Sequence, residues 1–292
     1  MIKEKIMYLP SANGLSKKDF KRLASFIQEQ VGILMPDSKH SLLTARLQKR
    51  LRTLKMSSFS DYVDWILNPK HSGEEIVNFL DLVTTNKTDF FREPAHFDFL
   101  TATALPALME KYGAGSKRPL QIWSAPCSSG EEPYTLAIVA MEFAKSRTIP
   151  NYQVKILGSD LSTKALKKGY EAVYEKSKVD GVPLSIKKEY MLKSKNKEKP
   201  TVRIGPKIRS MVTFHHLNFM DANYNIANIY DIIFCRNCLI YFDRVTSENI
   251  VNKLCNNLQP GGYFFIGHAE TLNGIDVPVK QVAPTIYQKP YN

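Results

Sequence analysis

The sequence predicts an α/β protein, a mostly parallel sheet flanked by helices, preceded by an all-helical domain. Three observations predict it. From residue 16 to about 112, apolar residues recur at helical spacing and no strand pattern occurs. After about residue 118, short apolar runs alternate with helical segments. Between about 171 and 212 that alternation stops in a lysine-rich stretch broken by Gly181, Pro183, Pro200, Gly205 and Pro206, which reads as a small β insertion. The expected division is 1–92, a helical domain with its linker, and 93–292, the sheet domain; a chain of 292 residues has ample core for both.

The first helix is SKKDFKRLASFIQEQVGI, with a capping serine and Phe20, Leu23, Phe26, Ile27 and Val31 on one face. The second, DSKHSLLTARLQKRLRTL, puts Leu43, Leu47, Leu51 and Leu54 together and leaves Arg46, Lys49, Arg50 and Lys55 largely on other faces. SFSDYVDWIL and SGEEIVNFLDLVT read as two short helices, each opened by a serine. Strand and helix then alternate: PLQIWSA, PYTLAIVAMEFAKS, YQVKILGSD, STKALKKGY, YDIIFCRN, TSENIVNKLCNNL and GGYFFIGHAE, with APTIYQK as a last strand. TVRI and MVTFHH are expected as short strands of the insertion.

No run approaches the eighteen or so apolar residues needed to cross a bilayer, and MIKEKIMYLP has no signal-peptide core. The cysteines (127, 235, 238, 255) do not make a disulfide framework and read as reduced thiols of a cytoplasmic protein. The net charge of +12 is uneven. Residues 1–55 carry twelve Lys/Arg against four Asp/Glu, and residues 175–209 carry eleven against four. Two basic surfaces point to an anionic partner.

On such sheets, ligands bind at the carboxyl ends of the strands. Those ends are Ser124–Glu132, Ser159–Asp160 and Arg236–Asn237. The small residues of WSAPCSSGEEPY let backbone approach a ligand. Asp160, closing the second strand, can accept both hydroxyls of a ribose. A single Gly130 followed by two carboxylates is wrong for a pyrophosphate, which they would repel, and suits a cation. S-adenosylmethionine carries a sulfonium and an ammonium and no phosphate, so the turn favours it over NAD or ATP. Cys127 raises a rival. S-A-P-C-S-S-G is similar to the Asp-Ala-Pro-Cys-Ser-Gly turn of RNA cytosine-5 methyltransferases, whose thiolate attacks the base. Here that turn opens the sheet instead of following the cofactor strands, and Ser124 stands in place of the aspartate.

Two further segments, TTNKTDFFREPAHF (84–97) and FCRNCLIYF (234–242), join WSAPCSSGEEPY and GSD. Together they resemble the chemotaxis receptor methyltransferases (the CheR family), over nearly the whole chain. The resemblance implies a Rossmann-like S-adenosylmethionine-dependent methyltransferase sheet and methyl transfer to glutamate side chains of chemoreceptor helices, with S-adenosylhomocysteine as product. It implies that Asn86, Thr88 and Arg92 line the cofactor pocket, Arg92 pairing a carboxylate of the cofactor or of the substrate glutamate. It also implies that Glu132, ahead of Glu131, takes the methionyl ammonium, that Asn218 and Phe219 flank the adenine, that Arg236 and Asn237 touch the cofactor end and that Tyr241 faces the substrate. Arg46, Lys49 and Arg50 would then dock a glutamate-rich receptor helix. EYMLKSKNKEKPTVRI has lysines where Gly-Thr-Gly would be sought, which argues against tethering to a receptor pentapeptide. Cys235 and Cys238 form a lone C-x-x-C with no second pair nearby, so no metal is expected. A monomer without nucleic-acid partner or membrane insertion is expected. The alternatives are an RNA methyltransferase using Cys127 and a non-catalytic scaffold that senses the cofactor.

Overall fold

The computed structural model describes residues 14–71, 73–196 and 198–291; MIKEKIMYLP and the capping serine expected at 72 lie outside them. The chain divides into two compact units, Met1–Thr85 and Asn86–Asn292, so residues 86–92 group with the sheet.

The first unit holds α1 (Lys17–Val31), α2 (His40–Leu54), α3 (Phe59–Ile66) and α4 (Glu74–Val83). Ser16 and Ser58 cap α1 and α3, accepting from Asp19 N at 3.0 Å and Asp61 N at 3.2 Å. The residue flanking α4 is Gly73, which offers no side-chain cap. Leu23, Ile27, Leu43, Leu47, Leu51 and Phe79 are fully buried. Each such side chain contributes about 1.5–3 kcal/mol of transfer free energy. The predicted apolar faces are therefore the packed ones.

The second unit runs α5 (Ala95–Phe99), α6 (Leu105–Tyr112), β1 (Leu120–Ser124), α7 (Glu131–Ser146), β2 (Val154–Asp160), α8 (Thr163–Glu171), β3 (Val173–Glu175), α9 (Leu184–Tyr190), β4 (Met191–Lys193), β5 (Thr201–Ile204), α10 (Pro206–Arg209), β6 (Val212–His216), β7 (Tyr230–Cys235), α11 (Arg244–Asn256), β8 (Leu258–Ile266), β9 (Lys280–Ala283) and β10 (Ile286–Gln288). Its seven-stranded sheet has the order β6-β2-β1-β7-β8-β10-β9. From β6 to β8 the pairs are parallel; β10 and β9 close the edge antiparallel. Every residue of β7 is buried, as a central parallel strand covered on both faces must be.

Two assignments differ from the sequence reading. MVTFHH is not part of the insertion: β6 pairs with β2 and forms an edge of the main sheet, while the insertion is the antiparallel set β3-β5-β4. A two-residue alternation marks a strand but carries no information about which sheet takes it. Lys280–Ala283 is an edge strand with its side chains mostly in solvent, so its sequence shows no apolar face.

The chain builds β2 and β6 on one side of β1, then returns to place β7 and β8 on the other. That reversal opens a crevice at the carboxyl ends of β1 and β7, where the loops must diverge.

Candidate active site

Beyond β1 the backbone turns through Ala125–Gly130 and enters α7 at Glu131. Gly130 has φ +92°, and a Cβ there would lie 2.9 Å from the Gly169 Cα, so both conformation and space demand glycine. The two glutamates, expected in the turn, form the first turn of the helix instead, where unpaired N–H groups favour negative charge. The turn is fixed from the insertion too: the Tyr174 hydroxyl donates to the Ser129 carbonyl at 2.8 Å.

Asp160 ends β2 and joins two loops. Its Oδ2 accepts from Ser128 N and its Oδ1 from Ser162 N, both at 2.8 Å. The carboxylate thus braces the turn after β1 and the start of α8 from one place at the end of β2. Leu217 N donates to the Asp160 carbonyl at 3.0 Å, which sets Asn218 and Phe219 just beyond the end of β6 and beside that of β2. The Phe219 carbonyl is held by Lys253 Nζ at 3.0 Å and by the Tyr224 hydroxyl at 3.1 Å.

The third strand end is organised by Arg236, whose side chain is 2% exposed. Its Nη1 donates to Glu132 Oε2 at 2.9 Å; its Nη2 donates to the Arg92 carbonyl at 2.7 Å and to Glu93 Oε2 at 2.8 Å. Ser124 Oγ donates to the other Glu132 oxygen at 2.8 Å. Burial outweighs these partners and pushes the Glu132 carboxyl above its usual range. At Glu93 burial also works upward, but the hydrogen bond and charge of Arg236, with Asn237, bring the carboxyl down to about 2. Arg236 thus lies beneath the rim, joining Glu132 to the segment after β-strand-free residues 86–91, rather than standing open to a ligand. Glu131 is fully buried, with Oε2 accepting from Ser129 Oγ at 2.7 Å.

Asn237 follows with φ +58°, a left-handed conformation that asparagine tolerates. Its Nδ2 donates to Glu93 Oε1 at 3.1 Å. Glu270 accepts from the backbone N–H of Asn237 (2.8 Å), Leu239 (2.7 Å) and Gly267 (2.6 Å), folding this loop around one carboxylate. Tyr241 closes the short helical turn Leu239–Tyr241 and is half-buried. Arg92 keeps 37% of its side chain exposed, with Nη1 donating to the Lys87 carbonyl at 3.1 Å. Asn86 is exposed and Thr88 half-buried; Lys178 of the insertion donates to the Thr88 carbonyl at 3.0 Å.

The structure therefore gathers Glu132, Asp160, Arg236 and Asn237 at neighbouring strand ends, with Arg92 bound to them through its carbonyl. Sequence reasoning missed Glu93 and Glu270. Both lie in quoted segments, FFREPAHF and GHAE, but a single loop carboxylate has no periodic signature.

Cys127 is 1% exposed, and burial, with the Asp160 and Glu132 carboxylates, pushes its thiol far up. A nucleophilic cysteine needs the reverse. Cys235 and Cys238 are buried free thiols with sulfurs 3.5 Å apart.

In the first unit, Arg46 donates from Nη1 to the carbonyls of Leu82 (3.0 Å), Val83 (2.8 Å) and Thr84 (3.1 Å), capping the C-terminus of α4. Arg50 pairs with Glu75, which also accepts from the Tyr62 hydroxyl at 2.9 Å. These two members of the expected docking stripe are thus engaged inside their own unit. Lys49 and Arg52 are exposed.

A separate groove of about 600 Å³ runs between α5, α7 and α9 and includes Phe91, Phe97, Ile138, Glu142 and Ile186. None of the strand-end residues lines it. No helix among the described residues is long and apolar enough to cross a membrane.

Residues 18–84 match the family model described as the CheR methyltransferase all-alpha domain, and 86–287 that of the CheR methyltransferase SAM binding domain. A chemotaxis protein methyltransferase of Borreliella burgdorferi is 34% identical over 94% of this chain and 95% of its own length. Chemotaxis protein methyltransferase 2 of Pseudomonas aeruginosa is 35% identical over 93% of each chain. The Escherichia coli chemotaxis protein methyltransferase is 31% identical over 94% of this chain and 91% of its own.

Proposed function

The chain belongs to the CheR methyltransferase family, a chemotaxis methyltransferase with S-adenosylmethionine as cofactor, and from that premise we propose that it esterifies glutamate side chains on the cytoplasmic helices of chemoreceptors. The observation that carries the reading is the match to both family domains, in order and over most of the chain.

The residues at the strand ends fit such a cofactor. Asp160 ends β2 as the acid assigned to the ribose hydroxyls, and the head of α7 opens with Glu131 and Glu132 and carries no lysine for a phosphate. Asn218 and Phe219 stand beyond Asp160 for the adenine, and Asn86, Thr88, Arg92 and Asn237 for the remainder of the pocket. S-adenosylmethionine supplies, when bound, a methyl group on a positively charged sulfur. The chain's own task is orientation. A glutamate side chain, with a pKa of about 4.3, is already an anion near neutral pH and needs no general base. With Asp160, Asn218 and Phe219 holding the donor, that methyl would pass to one carboxylate oxygen and leave the sulfur as a neutral thioether. Holding acceptor, methyl and sulfur in line can supply roughly 7–11 kcal/mol. Tyr241, just past the third strand end, is assigned to aim the incoming carboxylate through its hydroxyl.

The test is incubation with tritiated S-adenosylmethionine and receptor-bearing membranes, followed by base. Glutamyl methyl esters release volatile tritiated methanol; label that stays non-volatile, or goes to added tRNA, overturns the proposal.

A further inference from the structure

Glu93, His96 and His268 come together in the sheet unit: one carboxylate oxygen and one nitrogen from each ring lie within 4.8 Å of one another. The two rings are 5.0 Å apart between centroids and nearly perpendicular, at 81°. Residues 93 and 96 share a turn at the start of α5, and residue 268 follows β8, so no ligand-spacing motif reveals the group.

His96 supplies the independent observation. It is 1% exposed. Its Nε2 meets Thr285 Oγ1 at 2.8 Å, and that hydroxyl places its only proton on the Pro284 carbonyl at 2.7 Å. In the tautomer where that hydroxyl accepts, Nε2 carries the ring proton and Nδ1 keeps the lone pair that a metal ligand needs. Nδ1 is buried without a hydrogen-bond partner. It faces Glu93 Oε2 at 3.6 Å, beyond hydrogen-bonding distance. Two electron-rich atoms held apart in a buried place are arranged for a cation. His268 Nε2 stands 3.9 Å from the same Glu93 oxygen, and its ring is half exposed, which gives an ion a route from solvent.

The local charge permits it. Arg236 is already balanced by Glu132, so Glu93 is the excess charge of that trio. Glu93 Oε2 accepts from Arg236 Nη2 at 2.8 Å and from His268 N at 3.3 Å, and Oε1 accepts from Asn237 Nδ2 at 3.1 Å, so the lone pair left for an ion is on Oε1. Two imidazoles and one carboxylate form a nitrogen-rich set that suits zinc; magnesium and calcium prefer oxygen alone. Thr285 plays the part of the outer partner that fixes the tautomer of a metal-bound histidine. Ligand separations must contract, since zinc–ligand bonds are about 2.0–2.2 Å, and His268, with 52% of its side chain exposed, is the ligand that must move.

We propose that Glu93 (carboxylate), His96 (Nδ1) and His268 (Nε2) bind one divalent transition-metal ion, zinc above all, with water completing its shell. The site shares Glu93 with the strand-end network of Arg236 and Asn237, and its test needs no turnover. Untagged full-length protein is stripped with chelator and titrated with zinc chloride by calorimetry, with magnesium chloride as comparison. The expected result is one zinc per chain, no magnesium uptake, and at least tenfold weaker zinc binding in His268→Ala, an exposed change that leaves the fold intact. His96→Gln, checked for folding by circular dichroism, should show the same loss. The Cys235→Ser/Cys238→Ser variant should bind as the parent does. No zinc uptake, uptake unchanged by both histidine substitutions, or uptake lost with the cysteines would overturn the proposal.

Discussion

One guanidinium, that of Arg236, bridges the Glu132 carboxylate at 2.9 Å and the Glu93 carboxylate at 2.8 Å. The head of α7 is thereby locked to the segment before α5 through groups that water barely reaches. Removing one partner of such a buried pair leaves an uncompensated charge, which costs about 3–5 kcal/mol. Arg236→Met should lose that order of folding stability in urea denaturation. Adding Glu132→Gln to it should cost less than the two single changes summed. Strict additivity would show that the bridge is not the stabilising contact.

Asp160 and Tyr241 should separate kinetically. Asp160→Ala removes the acceptor assigned to ribose and the brace on Ser128 and Ser162. Its affinity for S-adenosylhomocysteine by calorimetry is expected to fall at least tenfold, about 1.4 kcal/mol. Tyr241→Phe keeps the ring and removes only the hydroxyl, so donor affinity should hold while kcat drops. Equal loss of donor binding in both variants would refute the division.

Cys127→Ala should keep methyl transfer within about twofold, and the native thiol should resist thiol reagents until the protein unfolds. The same burial predicts a pH effect. Cys255 is pushed up to about 12 by burial, and Cys127 and Cys238 are raised well above the ordinary value. A raised folded pKa means that the stability from each buried thiol is complete below the unfolded pKa of about 8.5 and declines from there up to the folded value. The loss approaches about 1.4 kcal/mol per pH unit per thiol. Urea midpoints between pH 8 and 10 should thus fall less steeply in Cys127→Ala than in the native chain.

Arg46 and Lys49 sit on one helix but should behave differently. Arg46→Ala strips three carbonyls at the end of α4 of their donor and should destabilise the first unit by about 1–3 kcal/mol. Lys49→Glu, at an exposed position, should stay within about 0.5 kcal/mol of the parent. It should instead weaken binding to receptor-bearing membranes, most clearly at low salt. Equal receptor affinity at low salt would remove Lys49 from the docking surface.

The three strand ends were legible because each apolar run breaks abruptly into small or acidic residues, as at Ser124, Asp160 and Arg236. The helical unit was legible from periodicity and from Ser16 and Ser58. What could not be read depended on pairing across long separations. Glu93 meets Arg236 across 143 residues, and Glu270 meets Asn237 across 33, with no pattern to announce either. The stripe containing Arg46 and Arg50 lies off the apolar face in sequence, yet Arg46 reaches the end of α4 and Arg50 reaches Glu75, since long side chains find partners that spacing does not specify. His96 and His268 are unremarkable singly and acquire meaning only when α5 and the end of β8 adjoin.

The phenol of Tyr174 ends its path on the Ser129 carbonyl, 2.8 Å away, while its ring stands edge-on to Phe90 at 5.0 Å. Strand β3 therefore cannot slide without dragging that carbonyl or releasing it. A partner that pulled on the basic insertion would load the bend between β1 and α7, the place proposed for the methyl donor.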